Sequence, residues 1–179
     1  MLNFTLSFCE RNEPAIQKTA IAVAFHDPGI WSHGTFDYLP HAKTLACEYL
    51  IEHGLNEWHE EIEAMIGYHH KFTPYGLHPE WLAESFRKAD WIDVSKGWLA
   101  FGIDASFLKG LIAAFPNAGF HARLKSLTVE RFKSHPFNPL PMMRLQIEKQ
   151  EWISDLTKNL EPQGSSLLYS NTTDNFKIQ

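Results

Sequence analysis

Cysteine is scarce in this chain of 179 residues. Its two thiols, Cys9 and Cys47, have no CxxC spacing and make no disulfide framework, so they read as reduced, part-buried thiols of a cytoplasmic protein. Basic residues are in the minority. Sixteen Lys and Arg against 21 Asp and Glu leave a net charge of -5, which argues against a nucleic-acid backbone as the main partner. No apolar run is long enough to span a bilayer, so no membrane partner is expected. The opening MLNFTLSFCERNE lacks the basic start and small-residue cleavage site of a signal peptide. There is no Gly-rich phosphate loop, no nucleophile elbow, no HExxH, no internal repeat and no convincing alternating strand. All ten histidines lie beyond residue 25.

What remains is helical patterning and aromatic bulk. The length suits one domain with a real core, and the abundance of Trp, Phe and Tyr places aromatics in it. Ile16, Ala20, Val23 and Ala24 recur at helical spacing, with Pro14 in the first turn, and predict a buried helix over 15–26. His26-Asp27 ends it, and Pro28-Gly29 breaks it. An aromatic-rich loop is expected over 30–38, then a helix over 40–53 closed by Gly54. A helix over 56–70 aligns Trp58, Ile62, Met65, Ile66 and His69, and one over 79–94 aligns Leu82, Phe86, Ala89 and Asp90. Helices over 105–115 and 119–134 follow, then a stiff HPFNPLP linker and a more polar helix over about 142–158. The expectation is an all-α chain: one helical domain over 1–158, with the motifs in 1–103 and further helices in 104–158, and a disordered tail over 159–179. Leu2, Phe4, Leu6 and Phe8 begin without any polar lead-in, as in the back half of a helix or a short frayed segment.

A helix that delivers adjacent His and Asp from an apolar run needs a reason, because both groups are costly to bury unless paired or bound to metal. His26 as a simple helix C-cap is the plainer explanation of the dipeptide taken alone. Its context points further. AIAVAFHDPGIW, then MIGYHHK, then FRKADWID stand in the order of three helical motifs, and together they resemble the HD-domain superfamily over about residues 1–103. The resemblance implies an HD-domain-like helical bundle and a metal-dependent phosphohydrolase. It implies His26, Asp27 and Asp90 as ligands of a divalent ion, which could be Mn, Fe, Co, Ni, Zn or Mg. It also gives Asp27 and His69 catalytic roles, with Asp27 orienting the attacking water and His69 serving a second ion or the substrate. His70 is expected to point elsewhere on its helix, and Asp93 to support Asp90. The substrate is expected to be a small phosphate ester or nucleotide, with Lys71, Arg87 and His41, and more weakly Lys96, as candidates to hold it.

The family's first ligand, a His on the preceding helix, has no counterpart here and would fall before Met1. Either the chain starts late, at an internal Met, or that ligand is lost; a face left bare by an absent helix would suit a homodimer. His33, Asp37 and His41 lie in the segment after the His-Asp pair and are possible substitutes, although Asp37 also suits a cap for the helix near Pro40. Trp31, Phe36 and Tyr38 read as packing residues. Two other functions suit the same residues: a non-catalytic relic that binds a ligand, and a hydratase of a small nitrile-type substrate, which would need no cations at the metal.

Overall fold

The computed structural model describes residues 1–33, 36–116 and 118–144, with the side chains of 31–33 left aside. The expected 145–158 part of the last helix and the 159–179 tail lie outside the described residues, as does Asn117. The described residues are helical, with no strand among them: α1 (Leu2–Thr5), α2 (Glu13–Phe25), α3 (Pro28–His33), α4 (Leu39–Glu52), α5 (His59–Tyr68), α6 (Ala83–Val94), α7 (Ala105–Ala114) and α8 (Phe120–Ser134). Short 3-10 turns run over Asn56–Trp58 and Pro141–Met143.

Local chemistry explains the boundaries. Asn12 starts α2 by accepting the Ala15 N–H at 2.9 Å, with Glu13 and Pro14 in the first turn. Asp104 does the same for α7, accepting from Ser106 and Phe107. Gly54, at φ 69°, takes the left-handed conformation that closes α4. Three expectations change. Pro28 does not simply break the chain: with its ring pre-set for a first helical turn it opens α3, where a loop was expected from residue 30. The helix expected from Pro79 begins only at Ala83, where the Glu61 carboxylate accepts the Leu82 N–H at 2.8 Å. Asp37 is not the cap of α4, whose N-cap is Tyr38 without a side-chain bond.

Helix α5 packs between α4 and α6, while α2 lies against α4 and α5, and α1 against α6. The α5 face of Ile62, Met65 and Ile66 is fully buried, as is His69 just past its end. Ala42, Ala46 and Leu50 of α4, Ala83 and Phe86 of α6, and Ile21 and Ala22 of α2 complete this core. Removing such side chains from water supplies the main favourable term for the fold. Helix α2 was expected to be buried toward its end, yet Ala24 there is exposed and Val23 and Phe25 only half-buried, because just one face meets α4 and α5. Lys18 of α2 ties to Glu61 of α5 at 2.6 Å. The consequence for function is geometric: the C-terminal ends of α2 and α5 meet beside the middle of α6.

Candidate metal centre

Three histidines and two aspartates converge there. Helix α2 ends at Phe25, so His26 and Asp27 stand just past its last turn. Helix α5 ends at Tyr68, so His69 and His70 also follow a helix end. Asp90 comes from α6. The three imidazoles share one arrangement. His26 Nδ1 donates to the Val23 carbonyl at 2.9 Å, His69 Nδ1 to the Ile66 carbonyl at 2.6 Å, and His70 Nδ1 to Asp90 Oδ2 at 2.9 Å. A carbonyl or carboxylate oxygen only accepts, so these contacts put the proton on each Nδ1.

Every Nε2 then faces Asp27. His26 Nε2 is 3.3 Å from Oδ2, while His69 Nε2 and His70 Nε2 are 3.5 and 3.8 Å from Oδ1. Ligand atoms of Asp27, His69 and His70 all lie within 4.8 Å of one another. His69 Nε2 is buried without a hydrogen-bond partner, since 3.5 Å to Asp27 is too long for a good one. Phe86 closes the apolar side, with the His26 ring edge-on at 5.6 Å and His69 at 6.2 Å. The His69 side chain is wholly buried, whereas those of His26, Asp27 and His70 keep 11–14% exposure, so among these residues it is their side that a reactant can reach.

Electrostatics follow from this crowding. Burial disfavours the charged form of His26, but the charge and hydrogen bond of Asp27, with Asp90, outweigh it and raise its pKa to about 9. Burial opposes and the same carboxylates overcome it at His70, whose pKa is also raised. His69 goes the other way, lowered by burial and by the charge of His70. Asp27 resists burial through His26 and His69 and is held well below the usual carboxylate range. Tyr38 is pushed well above its ordinary value by burial and by Asp27. Residues of this kind suit a divalent ion. Imidazole and carboxylate donors match transition metals. A ligating His normally gives its other ring N–H to a carboxylate or backbone carbonyl, as all three do here. The orphaned Nε2 of His69 also fits such a role.

The structure brings His26, Asp27, His69 and Asp90 together, Asp90 reaching the others through His70. Other expectations need correcting. His70 does not point elsewhere: its Nδ1 is held by Asp90 at 2.9 Å, and the His69 and His70 rings lie 3.8 Å apart. Lys71 is turned away, its Nζ donating to the carbonyls of Met142 (2.7 Å) and Arg144. Arg87 is paired with Glu84 at 2.7 and 2.8 Å and donates to the Lys71 carbonyl. Neither cation presents itself to a phosphate at the centre. Lys96 and Asp93 line a separate cavity with Leu111, Ile112 and His121, and the Asp90 carboxylate bonds His70 rather than Asp93. His41 is exposed in the first turn of α4, outside the cluster, as is exposed Asp37 just before that helix. The His33 side chain lies outside the described residues.

Tyr38 is the residue that pattern reading missed. It is 1% exposed, donates to Asp27 Oδ1 at 2.6 Å and meets His70 Nε2 at 2.8 Å. Its one sequence signal is Gly29: a Cβ there would stand 2.6 Å from Tyr38 Cβ, so only glycine admits the ring. No family model matches this chain, and comparison with curated proteins and with solved structures finds no match.

Proposed function

We propose that the cluster is a divalent-metal centre of HD-domain type and that the chain hydrolyses a small phosphate ester or nucleotide there. The observation that supports this best is the common arrangement of His26, His69 and His70, each with Nδ1–H spent on an oxygen and Nε2 turned to Asp27. Asp27, His69 and His70 would hold the ion, with His26 on the second oxygen of Asp27. His69 and His70 thus offer imidazoles in place of the one that the resemblance locates upstream. The ion, when bound, supplies Lewis acidity toward a phosphoryl oxygen and a lowered pKa for water. The residues themselves do the positioning. Asp90 fixes the His70 ring from behind, and the Val23 and Ile66 carbonyls fix His26 and His69. Phe86 keeps one side dry, which strengthens each electrostatic contact.

The test is metal content by elemental mass spectrometry after loading with Mn, Co or Zn and desalting, with His69→Ala and Asp27→Ala alongside. Stoichiometric metal in the wild type that both variants lose is expected, followed by turnover of p-nitrophenyl phosphate or a nucleotide. A wild type that retains no metal overturns the reading.

One observation favours a second reading. Lys71 and Arg87 are both engaged elsewhere, so among the described residues neither expected cation faces the centre. A neutral substrate, such as a small nitrile undergoing hydration, requires none. Metal-loaded protein that hydrates a small nitrile and ignores phosphate esters would select it.

A further inference from the structure

We infer that Tyr38 is itself a ligand of this centre, coordinating through its phenolic oxygen; the inference rests on the metal reading above. Its hydroxyl lies 2.6 Å from Asp27 Oδ1 and 2.8 Å from His70 Nε2. Donor atoms bound about 2.1 Å from one ion stand roughly 3 Å apart at right angles and roughly 3.4 Å apart in a tetrahedron. Tyr38 lies on the short side of that range from two of the proposed donors, so a shift of a few tenths of an ångström would seat one ion among the three atoms.

The surroundings point the same way. The His70 Nδ1–H is spent on Asp90, so Nε2 is the ring atom turned to the hydroxyl, and the phenolic oxygen stands in contact with both Asp27 Oδ1 and His70 Nε2. The His69 ring lies 3.8 Å from that of His70, and its Nε2 is buried without a hydrogen-bond partner. One cation among these atoms would give that nitrogen a partner and take the phenolic oxygen as a further donor. The ring is placed for this purpose by a close approach that costs the chain a side chain at Gly29.

Iron(III) gives a direct readout, because phenolate bound to it absorbs in the visible. The full chain is stripped of metal, loaded with iron(III) from its nitrilotriacetate complex, desalted and compared with Tyr38→Phe. The expected result is a visible band in the wild type that falls to the iron-free background in Tyr38→Phe, while bound iron stays within severalfold. Resonance Raman on wild type grown with ring-deuterated tyrosine should show the band's modes shifting, a readout that needs no variant to fold. Iron-loaded wild type without the band, or with the same band in Tyr38→Phe, would leave Tyr38 a mere hydrogen-bond partner of Asp27 and overturn the inference. Wild type that binds neither iron nor a divalent ion would overturn the metal reading with it.

Discussion

Gly29→Ala sets two well-understood effects against each other. Gly29 lies in α3, where replacing glycine by alanine normally stabilises by about 0.5–1 kcal/mol through the lost freedom of the unfolded chain. Here the new Cβ would stand 2.6 Å from Tyr38 Cβ and 3.1 Å from two ring carbons, closer than carbon atoms tolerate. Tyr38 is 1% exposed, so its ring cannot simply swing into solvent. Overpacking of this kind costs about 1–3 kcal/mol. The net expectation is a loss of about 1–2 kcal/mol, seen as a fall in Tm of roughly 2–8 °C for a chain of this size. The assay is urea and thermal denaturation of the metal-free protein, with Gly110→Ala as the control. Gly110 lies in α7 with nothing near its would-be Cβ, so that variant should gain about 0.5–1 kcal/mol. Gly29→Ala as stable as wild type, or more stable, would refute the argument that glycine is there to admit Tyr38.

Without metal, the raised pKa of His26 makes stability depend on pH with a defined sign. Its contribution is present below the unfolded value of 6.5 and lost as pH rises through about 9, with an upper limit of roughly 3 kcal/mol; the urea midpoint should fall across that window, less so in His26→Gln, and a flat profile would contradict the pairing. Lys71→Met should destabilise by about 1–3 kcal/mol, because it strands the Met142 and Arg144 carbonyls, and should leave metal content unchanged; a changed substrate KM at wild-type stability would restore Lys71 as a phosphate holder. Asp90→Asn should weaken metal binding by roughly 10–100-fold while iron or cobalt still reaches the centre at high concentration, measured by titration against a chelator.

Helical periodicity and turn residues were enough to read the all-helical class and most of the helix positions. Apolar residues three and four apart mark one face wherever they occur, and Gly54 carries its capping chemistry in its backbone freedom, whereas the caps Asn12 and Asp104 showed only in the structure. His26, Asp27, His69 and Asp90 were singled out by the resemblance to the HD-domain superfamily; local logic asked only that a buried His and Asp find partners, and for His26-Asp27 taken alone it favoured a helix cap. It failed where partners come from distant parts of the chain. Whether Lys71 and Arg87 faced a substrate or each other's neighbourhood depended on Glu84 and on the carbonyls of residues 142 and 144, which no spacing announces. Whether His70 turned inward depended on Asp90 of α6, which takes its Nδ1–H from across the bundle. Tyr38 looked like any buried aromatic, and only the approach of α3 to the start of α4 put its hydroxyl between Asp27 and His70. The sequence by itself determined which chemistry was available and on which helices it sat. The tertiary structure alone decided which of those groups share one small volume, because hydrogen bonds and metal ligation act over about 3 Å whereas sequence spacing speaks only of neighbours on the same element.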